Sequence, residues 1–469
     1  MNETVGLVLA AGMGKRIKSN KPKALHEVGG LPIIDHVIRS LNRANINEII
    51  VVVGCEGEQI QEHLKDKVKY VWQKEQLGTA HAVMQAEEIL KNFSGDVVVL
   101  PGDAPLIKPE TIIELLFVHK DDNSAASVLT MELEDAASYG RIIRDERNQF
   151  EKIVEFKDAS DDVRKIKEVN SGSYCFNSKN LFSSLLEISN DNSQKEYYLT
   201  DTLEILRKKN LPISVVKMKD SREGLGVNSR RELAMIEEIM RDLKRVELMD
   251  EGVTLIDPKS TFIDYSVIIG RDTVIKPFCT ISGDTVIGSD CVIGPSANIS
   301  NCIIGDSNEI STGFMSDSTI LNNCHIGPYF RIRPGTRLSN GVKVGHFVEL
   351  KNTQVGEFSK IPHLSYLGDA IIGKEVNVGC GVITCNYDGL NKYHTIIEDK
   401  CFIGSNSNLI APVVVGEEAY VASGSTIDQD VEPSSLAIAR CRQENKTGWV
   451  KRRKSIQKQD KIMRNLDDK

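Results

Sequence analysis

No stretch of the 469 residues approaches the ~18 consecutive apolar residues of a membrane-crossing helix, so no membrane insertion is expected. A positive surplus is also missing. The 58 basic residues against 66 acidic ones give a net charge of −8, which argues against a general nucleic-acid binder. The ten cysteines fall at irregular spacing without a CxxC pair, which fits reduced thiols better than disulfides or zinc. Eight of them follow residue 250. A strand-like run begins almost at once, with no charged-then-apolar leader, and a cytoplasmic location is expected. The GxxxxGK[ST] order of a P-loop and the third glycine of GxGxxG are absent, so neither nucleotide motif applies.

What is present is a loop. Leu9 to Lys23 reads LAAGMGKRIKSNKPK and follows the apolar run Val5 to Ala10, which reads as a buried strand. Gly12 and Gly14 let backbone N–H groups approach a phosphate, and Lys15, Arg16 and Lys23 bring cations to the same place. Pro22 directs the last of them. A lone glycine turn would be unremarkable, but with a strand before it and cations after it a triphosphate is the expected guest.

With 26% charged and 41% hydrophobic residues the composition is that of a globular protein, and the length implies two to three domains. Residues 1–228 alternate strand-like runs, such as Glu48 to Gly54 and Asp96 to Asp103, with helical stretches at Leu31 to Ala44 and Gly78 to Leu90. This is the pattern of a doubly wound α/β (Rossmann-like) sheet, whose ligands gather at the carboxyl ends of its strands. In residues 229–251, Leu233, Ile236, Met240 and Leu243 recur at helical steps, predicting an amphipathic connector helix. Over residues 252–445, Ile-Gly and Val-Gly pairs recur at multiples of six, as at Gly288 and Gly294 or Gly327 and Gly345. Such hexapeptides predict a parallel β-helix, with the aliphatic residues stacked inward. Residues 446–469 lose the repeat and are read as a basic, solvated or partly disordered tail.

Several short motifs follow the loop in order. QKEQLGTAHA spans Gln73 to Ala82, and GDAPL places Gly102 and Asp103 at the end of a strand. YGR, VEFKDA, VNSGSY and GVNSR then carry Gly140, Glu155, Asn170 and Asn228. On sequence alone Asp103 is equally a magnesium ligand or a turn cap. Together the motifs resemble the uridylyltransferase domain of the bacterial bifunctional enzymes that make UDP-N-acetylglucosamine. The resemblance implies that Leu9, Ala10, Ala11, Gly12, Arg16, Lys23, Gln73, Gly78, Thr79 and Gly102 hold the uridine nucleotide. It implies that Gly140, Glu155 and Asn170 hold N-acetylglucosamine, and that Asp103 and Asn228 ligate Mg²⁺. The chain departs from the family at Lys15, Ile17 and Pro101.

The repeat is interrupted around HLSYLGD and CNYDG. N-acetylation of an amino sugar needs a base, and imidazole, titrating ordinarily near about 6.5, suits that task. His363 is the residue singled out, because Tyr366, Asn377, Asn386 and Tyr387 are expected on neighbouring coils. Arg333 and Lys351 fall one coil apart and suit a sugar phosphate. His325, His346 and His394 are read as surface or packed residues. HLSYLGD with CNYDG resembles the acetyltransferase half of the same bifunctional family. That match implies His363 as base and Arg333, Lys351, Tyr366 and Asn377 as the glucosamine 1-phosphate site. It implies an acetyl-CoA path along Cys380, Asn386, Tyr387, Ser405, Ser423 and Arg440. Pro362, Cys380 and Ser423 depart from the family pattern.

The resemblance therefore implies acetyl transfer from acetyl-CoA to glucosamine 1-phosphate, then uridylyl transfer from UTP to N-acetylglucosamine 1-phosphate. The product would feed peptidoglycan and lipopolysaccharide precursors, and the family's β-helices form a homotrimer. Two other readings share these modules: another nucleotidyltransferase with a regulatory β-helix, and a non-catalytic assembly subunit. The second is disfavoured by the joint presence of Asp103, Asn228, Lys23 and Arg16.

Overall fold

The computed structural model describes residues 3–467 apart from Met13 and Ala137, with backbone alone for Lys15 and for 462–467. The Lys15 cation of the loop and the last two residues of the tail thus lie outside the described residues. Contacts divide the chain into two compact units, residues 1–268 with 281–284, and residues 269–280 with 285–469.

In the first unit a mixed sheet runs in the order Ile213–Lys217, Ala126–Glu132, Glu168–Asn177, Asp96–Pro101, Thr4–Ala10, Ile49–Val53, Lys69–Trp72. The last four strands are parallel. The central run IIVVV is buried throughout, as a strand covered on both faces must be. Alternation then sorts residues between two cores: Leu7, Val52 and Val99 face one, and Val8, Val53 and Val98 the other. The sheet is less uniform than a doubly wound pattern suggests, because Glu168–Asn177 runs antiparallel to both its neighbours. A bulge interrupts its pairing between Asn170 and Tyr174, both of which line the site described below.

Strands leave Thr4–Ala10 on both sides, with Ile49–Val53 next in one direction and Asp96–Pro101 in the other. That reversal opens a crevice at the carboxyl ends of the two central strands. Leu31 to Ala44 contains a helix at Ile33–Arg43, whereas Gly78 to Leu90 forms two short helices, Thr79–Met84 and Glu87–Leu90. The long helix Arg230–Asp250 packs its apolar stripe, Ile236 and Met240, against Ile17, Val28, Ile33 and Leu106 of the same unit.

The second unit is a left-handed parallel β-helix with three sheets. One coil carries Lys343–His346, Glu349–Lys351 and Gln354–Val355, and each strand pairs in parallel with its counterpart one coil on. The aliphatic residues Val344, Leu350 and Val355 are at most 1% exposed, which is the packing reason for the six-residue period. Cys279, Cys291, Cys302, Cys324 and Cys401 fill the same narrow interior. Burial pushes the thiols of Cys302 and Cys324 up to about 11. In the tail, Trp449–Asp467 is a helix, exposed over residues 449–461. Its charges offer no apolar stripe of the kind that makes a helix legible in sequence.

Candidate active sites

In the first unit a cleft of about 550 Å³ opens at the carboxyl ends of Thr4–Ala10 and Asp96–Pro101. Leu9, Ala10, Ala11, Gly12, Lys23, Gln73, Gly78, Thr79, Gly102, Asp103, Glu155 and Asn170 all line it. Pro22, at φ −50°, leads into the short turn Lys23–Leu25 and aims Lys23 inward. The ammonium of Lys23 pairs with Asp103 Oδ2 and donates to Asn228 Oδ1 at 3.1 Å. Asn228 reaches this point because Val227 N donates to the Asp103 carbonyl at 2.9 Å. Ser229 caps the following helix, and Glu232 accepts from both Asn228 N and Ser229 Oγ.

Gly78 sits at φ +113°, and a Cβ there would lie 2.5 Å from the Tyr197 carbonyl, so only glycine fits. Gln73 and Thr79 are each partly engaged within the protein, which leaves the Gln73 carbonyl and the Thr79 hydroxyl hydrogen for a base. The Gln73 amide nitrogen engages Gly78 O and His81 Nδ1, while Thr79 Oγ1 accepts from Leu199 N. Gly140 lies outside the lining but is held to it, since its carbonyl accepts from Asn170 N at 2.8 Å. A Cβ on Gly140 would sit 3.4 Å from Glu155 Oε1. Asn170 is buried, donating to Tyr174 OH at 2.7 Å and accepting from Gly172 N. Burial pushes the Glu155 carboxyl above its ordinary range, opposed by the Thr200 hydroxyl, and it pushes the Tyr174 hydroxyl up as well. Arg16 is exposed on the turn Lys15–Ile17 and does not line the cleft.

The oxygens of Asp103 and Asn228 converge on a position already taken by a cation, the Lys23 ammonium. Hard oxygen donors around a positive centre fit a hard divalent ion. Among the described residues no group of three or more His, Cys, Asp or Glu is disposed to hold a metal, so a full protein cage is not offered. A two-oxygen site completed by phosphates is the kind magnesium uses.

In the second unit His363 ends the strand Lys360–His363 and is exposed, while Tyr366 opens the next face. Asn377 lies on the His363 face, opposite Lys360, and Tyr366 lies opposite Ile383 on the face that leads to Asn386. Asn386 is buried, and with Asn352 it donates to the Asp369 carboxylate. Burial pushes that carboxyl up, but the two amides and the nearby lysines outweigh it, leaving Asp369 below its usual range. Contact with Lys392 lowers Lys351, with Asp369 and Arg333 also close enough to matter. Arg333 pairs with Glu349 at 2.9 Å. Tyr387 is exposed and donates to Gly389 O, closing the loop that carries Lys392.

Cys380, Ser405 and Ser423 repeat at one corner of successive coils. Asn406 N donates to the Cys380 carbonyl and Gly424 N to the Ser405 carbonyl. A Cβ on Gly404 would lie 2.5 Å from Ser423 N, and one on Gly424 would lie 3.7 Å from Arg440 Cδ. These residues thus line one edge of the helix.

Sequence reasoning missed Gln76, Glu196 and Thr200 in the first cleft. In the second unit it missed Lys392, Asp369 and the neighbour of His363, His346. Asp369 stands in the HLSYLGD motif, inside a segment already singled out, whereas Lys392 lies three residues beyond the end of CNYDG.

Residues 5–226 match the nucleotidyl transferase family, and residues 266–301 and 394–429 match the bacterial transferase hexapeptide family of six repeats. A bifunctional protein GlmU of Geobacillus sp. (strain WCH70) is 49% identical over 452 residues, 96% of this chain and 98% of the relative. Those of Alkaliphilus metalliredigens and Listeria monocytogenes serotype 4a are 48% and 46% identical, over 95% and 96% of this chain and 98% and 99% of their own lengths.

Proposed function

Because the chain belongs to the bifunctional GlmU family, we propose a division of its two reactions between its two units and a role for each residue of the two sites. The enzyme acetylates glucosamine 1-phosphate with acetyl-CoA and joins N-acetylglucosamine 1-phosphate to the uridylyl group of UTP, releasing pyrophosphate. Uridylyl transfer is assigned to residues 1–228 and acetyl transfer to 252–445, with 229–251 as the connector and 446–469 as an appended tail.

In the first reaction a phosphate oxygen of the sugar attacks the α-phosphorus of UTP, forming one P–O bond as the bond to pyrophosphate breaks. Leu9 to Gly12, Gly78 and Gly102 bring backbone to the nucleotide, and Thr79 and the Gln73 carbonyl complete the uridine pocket. Lys23 neutralises phosphate charge where it develops, with Arg16 attracting the triphosphate from the rim. Gly140, Glu155 and Asn170 hold the N-acetylglucosamine ring. Asp103 and Asn228 hold a divalent cation, Mg²⁺ by the hardness of their oxygens, which when bound would offset charge on the phosphates.

In the second reaction the amine forms a C–N bond to the acetyl carbonyl carbon, the C–S bond breaks, and the proton lost by nitrogen passes to His363 and on to the CoA thiolate. Arg333, Lys351 and Lys392 bind the sugar phosphate, with Tyr366 and Asn377 orienting the ring. Asn386, Tyr387, Cys380, Ser405, Ser423 and Arg440 form the acetyl-CoA path. Three chains associate through their β-helices. Support comes from the aromatic side chains left exposed on the coils, Phe314, Tyr329, Phe347 and Phe358, of which Tyr329 and Phe347 stack at 5.5 Å. A cytoplasmic location suits the unpaired thiols and the two activated substrates.

The observation that carries the first-unit assignment is that Lys23 and Asp103, which line the cleft, meet each other and that Lys23 also reaches Asn228, which lies outside the lining. Incubating the purified chain with UTP, N-acetylglucosamine 1-phosphate and Mg²⁺ tests it. Pyrophosphate release is expected, and loss of that release in Asn228→Ala.

A further inference from the structure

We propose that His346 is a positioning residue for acetyl transfer, holding His363 in the tautomer that a general base requires. The proposal rests on the assignment of His363 as the base. The two histidines end adjacent strands and stand directly opposite each other in the parallel ladder, so their rings occupy the same edge one coil apart. His363 Nδ1 lies 3.3 Å from His346 Nε2, and the rings meet edge to face with centroids 4.7 Å apart. His346 is backed in turn by the edge of Phe347 at 5.6 Å, which limits its swing.

This geometry assigns protons. If His363 Nε2 is to take a proton from the sugar amine it must carry a lone pair, so Nδ1 bears the hydrogen. That hydrogen points at His346 Nε2, which accepts it when His346 is neutral and carries its own hydrogen on Nδ1. As the C–N bond forms and the C–S bond breaks, His363 Nε2 gains the amine proton, and the imidazolium keeps its Nδ1–H on the same acceptor. His346 therefore acts through His363, as an orienting acceptor does in other general-base pairs. A proton arriving on His346 Nε2 reverses the bond: His363 Nδ1 then accepts, its hydrogen moves to Nε2, and the base is lost. One proton on either ring silences the pair.

Among the described residues, other titratable groups lie on the packed elements: Arg331 stands on Phe330–Ile332, which packs against the His346 strand, opposite Glu349 on the coil of His346. Lys343 and Lys360 share the two strands, His325 precedes them on the same face but pairs with Glu309, Tyr329 precedes on the same edge, and Cys380 and Tyr366 follow. None stands between the two rings.

The test compares His346→Asn, His346→Ala and His363→Ala in the full chain, with each variant's thermal unfolding as the control for folding of the β-helix and uridylyl transfer as the control for an intact first unit. Asparagine offers an amide oxygen in place of the ring nitrogen but binds no proton. His346→Asn is expected to keep plateau kcat within a few-fold and to move the acidic limb of kcat/KM to lower pH. His346→Ala is expected to lower kcat about tenfold, roughly one lost hydrogen bond, with KM for acetyl-CoA unchanged. Parental kcat and an unmoved limb in both His346 variants, with His363→Ala inactive, would overturn this proposal alone. Parental activity in His363→Ala would instead remove the base assignment on which it stands.

Discussion

Lys23 Nζ lies 3.1 Å from Asn228 Oδ1, across 205 positions of sequence, and the same ammonium pairs with Asp103. One cation thus ties the phosphate loop, the end of the central strand and the start of the long helix. Replacing it by Lys23→Met leaves the carboxylate uncompensated at the mouth of the cleft and removes charge from the phosphates. Uridylyl transfer should fall by about 10²-fold or more. Acetyl transfer should stay within a few-fold, and parallel assays of pyrophosphate and thiol release measure both.

Phosphate recognition in the second unit should depend on a residue that the motif reading passed over. Lys392 stands beside Lys351 closely enough to lower it, as two cations awaiting an anion do. Lys392→Ala should raise KM for glucosamine 1-phosphate by roughly 10- to 100-fold, the size of a charged hydrogen bond. KM for acetyl-CoA should hold steady in the same initial-rate series. Equal changes in both constants would detach Lys392 from the sugar phosphate.

The β-helix was legible in sequence because each coil repeats one physical demand, an aliphatic residue inward every six positions. The strands of the first unit were legible because burial on both faces makes them uninterrupted apolar runs. Contacts between residues far apart were not. Nothing in the order of motifs says that Asn228 meets Lys23, that Gln73 spends its amide on Gly78 and His81, or that Glu168–Asn177 runs against its neighbours. His346 looked like an ordinary surface histidine, and only the coil register sets it against His363.

That register has its own sensitive point. A Cβ on Gly345 would lie 1.8 Å from the Pro362 carbonyl oxygen, which is backbone and cannot swing aside. Gly345→Ala must therefore part the strands that end in His346 and His363, at a cost of about 1–3 kcal/mol. A lower unfolding temperature and reduced acetyl transfer are expected, with uridylyl transfer preserved. Calorimetry showing no change would mean that the coils yield freely there.

The pH dependence of stability should carry a signature of Asp201. Burial, with Glu204 and Asp158 nearby, raises its carboxyl from 3.8 to about 6. The folded state then holds the proton more tightly than the unfolded one. Its stabilising contribution is complete below 3.8 and is lost as pH climbs to about 6. Asp201→Asn should flatten the fall in unfolding midpoint across that window. Identical slopes for parent and variant would show that the carboxyl titrates alike in both states.

The central claim, two reactions on separate residue sets of one chain, is tested most directly by mass spectrometry of products. The chain is supplied with glucosamine 1-phosphate, acetyl-CoA, UTP and Mg²⁺. The parent should yield UDP-N-acetylglucosamine, and Asp103→Ala should stop at N-acetylglucosamine 1-phosphate. His363→Ala should leave glucosamine 1-phosphate unacetylated yet convert added N-acetylglucosamine 1-phosphate to the nucleotide sugar. Joint loss of both products in either folded variant, or parental acetylation by His363→Ala, would contradict the account.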